Sequence, residues 1–363
     1  MIRPPRVLLI LSLVPSLGLQ AACQRVVNPA TGEAQYTTMG PEEERAIGAQ
    51  QHPQVLQEFG GAYDEPELQA YVARIGDDLV ASSDVPGRDF TFTLLNSEVP
   101  NAFALPGGYV YVTRGLLALA ENEAELAGVL GHEIGHVAAR HAAQRQTEAT
   151  RAGLLATLGT LGAAILGGQT AAELAQQVGG LGAQAWVASY SREQEFEADD
   201  LGIRYMSRVG YDPRAMATFL SKLERQDELR RKLAGDEGAD AGASWFATHP
   251  RTPERVERAA AEAAAAEGGG RTEREAFLGQ IDGLIYGEDP SQGFVRNRKF
   301  VHPGLGFAFE APPGFRLRNL PSAVVGTDRA GRVMKFDAAR VDPGLGMQEY
   351  LAKDWARALG GAG

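Results

Sequence analysis

The feature that most constrains this chain is a pair of histidines, His132 and His136, placed four residues apart inside a predicted helix. The helix is predicted from Asn122, which forms a capping box with Glu125, and from the apolar residues that follow at helical spacing towards Gln144. Positions i and i+4 of a helix project from one face, so both imidazoles can reach one ion at about 2.0 to 2.1 Å. The pattern therefore predicts a site for one Zn²⁺ per chain.

The residue between these histidines indicates what the metal is for. Glu133 points to the side of the histidine face, close to the metal without being required to bind it. A general base for a metal-activated water needs that position, whereas a purely structural zinc site has no use for the carboxylate. Gly131 and Gly135 lower the helix propensity, which indicates that another element packs closely against this helix.

A catalytic zinc usually takes three protein ligands and keeps one open position, so a third ligand is needed. The metzincin pattern is excluded, because Ala139 and Ala142 stand where it has glycine and histidine. In a continuous helix His141 lies roughly 140° around the axis from His136, which favours a surface or capping position.

The remaining choice is a glutamate from the later segment Ser191–Asp199, which contains three of them. Their spacing alone does not choose among the three. A ligand followed one turn later by a carboxylate is favoured, because the second carboxylate can orient a zinc-bound imidazole. Glu195 with Asp199 fits that arrangement, and a solvated acidic face is the alternative.

Composition and charge exclude nucleic acid as a partner. The 363 residues are 44% hydrophobic, as in a globular protein that is long enough for two domains. Acidic residues number 46 and basic residues 35, a net charge of -11, and no Lys/Arg block could follow a phosphate backbone.

The N-terminus has the pattern of a secretory signal, with two arginines before the apolar run Val7–Leu17. That run is shorter than the roughly 20 residues of a membrane-spanning helix. Because Cys23, the chain's one cysteine, stands where the signal ends, lipidation is favoured over ordinary cleavage, although Gln20 replaces the usual lipobox leucine. Gln24 is not the aspartate that favours inner-membrane retention in some bacteria, so we expect a periplasmic protein tethered to the outer membrane.

The predicted fold class is α+β, a mostly helical domain with a small strand meander and a small C-terminal α/β module. The meander is predicted at residues 90–95, 101–105 and 109–113, ahead of the zinc helix. The apolar stretch 153–168 favours a buried helical hairpin, with a membrane-dipping or lid element as the alternative. The pattern leaves open that the C-terminal module is incomplete at Gly363. The predicted parts are a signal peptide at 1–23, a lead-in at 24–60, the mostly helical domain at 61–267, and a linker with the C-terminal module at 268–363. The lead-in is expected to contain one short helix near residues 41–50.

The segments HEIGH and SREQEFEAD together resemble peptidase family M48. The family's second motif reads Glu-x-x-Ala-Asp, with the glutamate as third zinc ligand. Matched residue by residue, the resemblance implies Glu195 as the ligand and Asp199 as the carboxylate that orients a ligand. The stretches 101–108 and 248–250 are also similar to family segments, and the likeness covers residues 60 to 265. The resemblance implies a gluzincin-type fold, and the signal peptide resembles that of the periplasmic branch of the family.

The function implied is a zinc endopeptidase that cleaves unfolded or misassembled cell-envelope proteins. Substrate is expected to add as a strand along Asn101, Ala102, Phe103 and Ala104, main chain to main chain. His249 and Arg255 are candidates for regulation or substrate contact, and the alternative for His249 is a histidine that starts a helix. The rival function is a zinc-stabilised, chaperone-like assembly factor for outer-membrane proteins. A non-proteolytic zinc hydrolase would need small-molecule specificity groups that the pattern does not show.

Overall fold

A computed structural model describes residues 24–151, 190–234, 245–250, 253–266, 270–337, 344 and 346–352. The predictions for Cys23 and its signal and for the apolar stretch 153–168 lie outside these residues. No helix in the described part of the chain is both long enough and apolar enough to cross a membrane.

The described residues combine helices with short strands, which confirms the α+β class. The helices are α1 (Pro41–Glu58), α2 (Pro66–Ala81), α3 (Arg114–Leu119), α4 (Glu123–Ala138), α5 (Arg192–Val209), α6 (Arg214–Ala234), α7 (Trp245–Thr248), α8 (Pro253–Ala265), α9 (Arg274–Gln280) and α10 (Met347–Tyr350). The strands are β1 (Gln24–Val27), β2 (Ala34–Thr37), β3 (Thr91–Leu95), β4 (Ala102–Leu105), β5 (Tyr109–Thr113), β6 (Phe294–Arg296), β7 (Lys299–His302), β8 (Phe307–Glu310), β9 (Arg316–Leu320), β10 (Ala323–Thr327) and β11 (Val333–Asp337). Two compact units divide the chain, one holding residues 1–56 and 61–287, the other holding 57–60 and 288–363.

Helix α4 is the centre of the first unit and is buried along its whole length. Its closest neighbour is α5, and the contact is made through glycines. A Cβ atom added to Gly202 would lie 2.8 Å from the backbone nitrogen of His132, and one added to Gly131 would lie 3.1 Å from the Gly202 carbonyl oxygen. A Cβ at Gly135 would meet the Ala198 carbonyl oxygen at 3.1 Å. The predicted close packing is confirmed, since any larger side chain would push the two helices apart.

The sheet ahead of α4 is not the predicted meander. Its order is β3-β5-β4, with β3 parallel to β5 and β4 antiparallel to β5. Strand β5 takes the centre, and its residues Val110, Tyr111 and Val112 are at 1% exposure or less. The consequence is that β4 ends the sheet, next to α4 and α7. Asn101, expected inside that strand, lies one residue before it.

The end of α4 also differs from the prediction. The helix stops at Ala138 and not near Gln144, and Arg140 adopts a left-handed conformation with a φ of 60°. A non-glycine residue in this region is strained, and the strain is offset by buried hydrogen bonds from Arg140 to the Glu44 carboxylate and the Met39 carbonyl, each 2.9 Å. Residues 141–151 are helical again in a new direction.

The lead-in is more ordered than expected. Strands β1 and β2 form an antiparallel hairpin, and α1 continues to Glu58 where the prediction stopped near residue 50. The hairpin packs on the residues after α4, because Gln35 donates to the Ala139 carbonyl and the Thr37 and Thr147 hydroxyls lie 3.2 Å apart.

The C-terminal unit is built from two antiparallel three-stranded sheets, β6-β7-β8 and β9-β10-β11. A small core of Phe300, Ala311, Leu317 and Val324 is buried between its elements. The described part of this unit is richer in strands than the predicted α/β module, with α10 as its short α-helix.

Candidate active site

Four buried side chains meet where α4, α5 and the end of α7 approach one another. They are His132, His136, Glu195 and His249, and their potential ligand atoms all lie within 4.8 Å of one another. The Nε2 atoms of the first two histidines are 3.0 Å apart. Glu195 oxygens lie 3.7 Å from the His132 Nε2 and 3.4 Å from the His136 Nε2. Each residue is at most 2% exposed.

These distances fit a single zinc ion. Ligand atoms at about 2.0 to 2.2 Å from a tetrahedral Zn²⁺ are about 3.3 Å apart, close to the separations between the two imidazoles and the carboxylate. The Nε2 atoms of His132 and His136 face each other at 3.0 Å in a buried site. A metal held between them turns both lone pairs into ligands, so His132, His136 and Glu195 can hold Zn²⁺.

Asp199 and Arg255 lie behind these atoms. The Asp199 carboxylate is 2.8 Å from the His132 Nδ1, which directs the other ring nitrogen towards the cluster. Arg255 donates to both Asp199 oxygens at 2.8 and 2.7 Å, and its Nη1 is 2.5 Å from a Glu195 oxygen. Burial raises the pKa of Asp199, but the Arg255 guanidinium and the His132 ring together more than offset this and hold the pKa below its ordinary value.

Glu195 is kept ionised in the same way. Burial opposes its charge, but His249 and Arg255 beside it hold the pKa of Glu195 well below the ordinary value. The three glutamates that spacing could not separate are distinguished by direction: Glu195 points into the cluster, Glu193 is exposed, and Glu197 contacts His141.

Glu133 is completely buried beside the cluster, and neither carboxylate oxygen has a hydrogen-bond partner among the described residues. One oxygen lies 3.3 Å from the His249 Nε2. Burial raises the pKa of Glu133 against the lowering influence of His249 and His132. The carboxylate is therefore positioned next to the metal-facing atoms and is not committed to a structural contact.

His249 follows the last residue of α7 and does not start a helix. Its Nδ1 is 2.9 Å from a Glu195 oxygen and 3.2 Å from the His132 Nε2. The Trp245 ring stacks on it at 4.1 Å, tilted by 18°. His249 is thus the fourth member of the cluster that could hold a metal ion.

The sequence prediction missed one aromatic contact and the position of one histidine. Tyr190 stacks on His136 with 3.7 Å between ring centroids, and nothing in its spacing indicates this. His141 is completely buried, so the surface part of the predicted surface or capping position is wrong. Its Nδ1 is 2.8 Å from the His136 Nδ1, because α4 ends before it and the turn at Arg140 brings it back towards the cluster.

The expected substrate strand lies close to this cluster. Ala102, Phe103 and Ala104 belong to β4, and Asn101 immediately precedes them. A small cavity between β4 and α4 is lined by Ala104, His136 and Tyr190 among others. Strand β4 and the helix that carries the histidine pair are therefore neighbours in the first unit.

A histidine pair one helical turn apart, a glutamate from a second helix and an uncommitted glutamate within the first helix define a zinc metallopeptidase site. The sequence profile of peptidase family M48 matches residues 66–263, more than half of the chain. The chain belongs to this family, and zinc is its cofactor.

Named relatives agree with this assignment. The chain is 38% identical to a beta-barrel assembly-enhancing protease of Yersinia pestis over 209 residues, 56% of this chain and 42% of the relative. It is 37% identical to the protein of that name from Escherichia coli (strain K12) over 162 residues, 44% of this chain and 33% of the relative. It is 28% identical to the mitochondrial metalloendopeptidase OMA1 of Schizosaccharomyces pombe over 235 residues, 63% of this chain and 64% of the relative. The chain spans less than half the length of the two bacterial proteases.

Proposed function

We propose that this protein is a zinc-dependent endopeptidase that cleaves unfolded or misassembled proteins of the cell envelope. The observation that carries the proposal is the uncommitted carboxylate of Glu133, buried next to the atoms that would hold the metal. A buried carboxylate without a hydrogen bond is costly to keep unless it has a task. Abstracting a proton from water beside the metal is such a task.

Each residue of the cluster has a role in this reaction. His132, His136 and Glu195 would hold the zinc, which supplies Lewis acidity to the scissile carbonyl and the attacking water. Glu133 takes the proton from the water and delivers it to the leaving amine, and its raised pKa brings it closer to the working pH. Asp199 keeps the His132 ring in the tautomer whose Nε2 faces the metal.

Substrate is proposed to bind alongside β4. That strand ends the sheet and lies next to α4 and α7, so a peptide that follows Asn101 to Ala104 would pass close to Glu133. Pairing through the main chain depends little on side chains, but it requires an extended and therefore unfolded substrate. The printed name of the bacterial relatives, which refers to assembly of beta-barrels, supports envelope proteins as the substrate class.

His249 is proposed to regulate access. In the arrangement described, it occupies the fourth position and contacts Glu133, so its imidazole must withdraw before water and substrate can enter. Because the residues of the cluster are at most 2% exposed, this arrangement is closed. Lipidation of Cys23 would tether the enzyme to the outer membrane from the periplasmic side.

The decisive experiment measures zinc content and cleavage of unfolded casein together, with and without a chelator. Wild-type protein should cleave only when zinc is bound. Glu133→Gln should keep its zinc and lose roughly 10²-fold or more in turnover, the scale of a lost general base. Glu193→Gln, an exposed change on α5, is the control and should match wild type. Full activity in Glu133→Gln would contradict the mechanism, and casein binding without cleavage in wild type would favour the chaperone-like alternative.

A further inference from the structure

The His136 imidazole is connected to a chain of polar groups that leads away from the buried metal site. While the His136 Nε2 faces the cluster, its Nδ1 is 2.8 Å from the His141 Nδ1. The other nitrogen of His141 is 3.2 Å from a Glu197 oxygen, and the second Glu197 oxygen accepts a 3.5 Å hydrogen bond from Asn28. His141 and Asn28 are at most 2% exposed, whereas the Glu197 side chain is 31% exposed.

The hydrogen-bond roles along this chain follow from metal binding at one end. If the Nε2 of His136 supplies its lone pair to zinc, the neutral ring carries its proton on Nδ1 and donates it to His141. His141 then accepts on Nδ1 and donates from Nε2 to Glu197, an acceptor when ionised. Each tautomer is thereby fixed by its neighbour, and the direction of donation runs from the metal ligand to the carboxylate.

Two features outside the cluster hold the chain in place. The left-handed turn at Arg140, which the Glu44 carboxylate stabilises, brings His141 back under His136. On the other side, the Asn28 side-chain oxygen accepts from the backbone nitrogen of Ala30 at 2.8 Å, which directs its amide nitrogen to Glu197. The N-terminal hairpin therefore contributes a residue to the surroundings of the metal site.

We infer that His141 and Glu197 are positioning residues for His136, with Asn28 holding the far end of the chain. This inference rests on the proposed zinc endopeptidase function. Asp199 orients the His132 ring by direct contact, and Glu197 orients the His136 ring through the imidazole of His141. A buried histidine costs free energy unless both ring nitrogens are hydrogen-bonded. If this position served only to fill space in the core, an apolar residue would be expected there.

The test compares His141→Leu with His141→Gln. Leucine fills the space but neither accepts from His136 nor donates to Glu197, whereas the glutamine amide can do both. Loss of an orienting partner costs about 10 to 100-fold in metal affinity, so we expect that loss of zinc affinity in His141→Leu and a value within about threefold of wild type in His141→Gln. The readouts are the zinc dissociation constant from chelator competition and the visible absorption spectrum of the Co²⁺-loaded protein, which reports ligand geometry.

A second pair of variants keeps the inference testable if His141→Leu does not fold. Glu197→Leu removes the acceptor for the His141 proton, and Glu193→Leu makes the same change on an exposed neighbour that is outside the chain of polar groups. We expect weaker zinc binding and an altered Co²⁺ spectrum only in Glu197→Leu. The positioning role would be overturned by equal zinc affinity and equal spectra in these two variants, or in wild type and a folded His141→Leu. The proposed function would still stand in that case, provided that wild type binds zinc and cleaves casein. Failure of wild type itself to bind zinc would refute the proposed function instead.

Discussion

Replacing Arg255 by methionine should destabilise the metal-free protein much more than the zinc-loaded protein. Arg255 is 3% exposed and is the shared cation of two buried carboxylates, Asp199 and Glu195. Removing one partner of a buried ion pair costs about 3 to 5 kcal/mol, because the remaining charge is left uncompensated. For a domain of this size, about 2 to 4 °C of melting temperature corresponds to 1 kcal/mol, so the expected fall is roughly 6 to 20 °C.

Zinc should reduce this loss, because the ion supplies positive charge to Glu195 when arginine does not. The assay is thermal unfolding followed by circular dichroism, with excess zinc and with chelator. Arg258→Met is the matched control on the same helix, since Arg258 pairs with Asp200 at 3.0 Å on the surface, where such pairs contribute about 0 to 1 kcal/mol. A metal-free Arg255→Met protein that melts with Arg258→Met would refute the assignment of Arg255 as the counter-ion of the site.

Three further changes test the remaining assignments. Glu195→Ala should lose most of its zinc by elemental analysis and Glu193→Ala should retain it, so equal retention would remove Glu195 from the ligand set. His249→Ala should raise basal casein cleavage if the imidazole blocks the metal. The same change should lower cleavage without loss of zinc if the imidazole stabilises the transition state, and an unchanged rate at limiting and saturating substrate would exclude both roles. Cys23→Ser should move the protein from the membrane fraction to the soluble periplasmic fraction, and a wild type that is already soluble and carries no acyl group would contradict the anchor.

Local patterns predicted what local physics decides. The histidine pair lies on α4 because helical spacing and the Asn122 cap act within a few residues, and the Asn122 side chain does accept from the Glu125 nitrogen. The capping box at Ser191 and Gln194 likewise starts α5 where expected. Glycines 131 and 135 correctly indicated a close neighbour, although the sequence pattern did not identify Gly202 as the contact.

What the sequence pattern missed depends on contacts between distant parts of the chain. The stop of α4 at Ala138 depends on Arg140, which is stabilised by Glu44 almost one hundred positions earlier. No breaker residue marks that point, so the sequence predicts a continuous helix and a surface or capping position for His141. The order of the sheet was missed for a similar reason, because alternation predicts strands but not which of them takes the centre.

The glycine contact between α4 and α5 has a consequence for how the protein acquires its metal. Because backbone meets backbone at Gly131 and Gly202, the distance between the histidine pair and Glu195 is set by the scaffold and not by flexible side chains. Most of the entropic cost of gathering the ligands is then incurred during folding and not when the ion arrives. Because the ligand residues are at most 2% exposed, both uptake and loss of zinc should be limited by the rate at which the covered site opens. A fast chelator and a slow chelator should therefore remove the ion at the same rate.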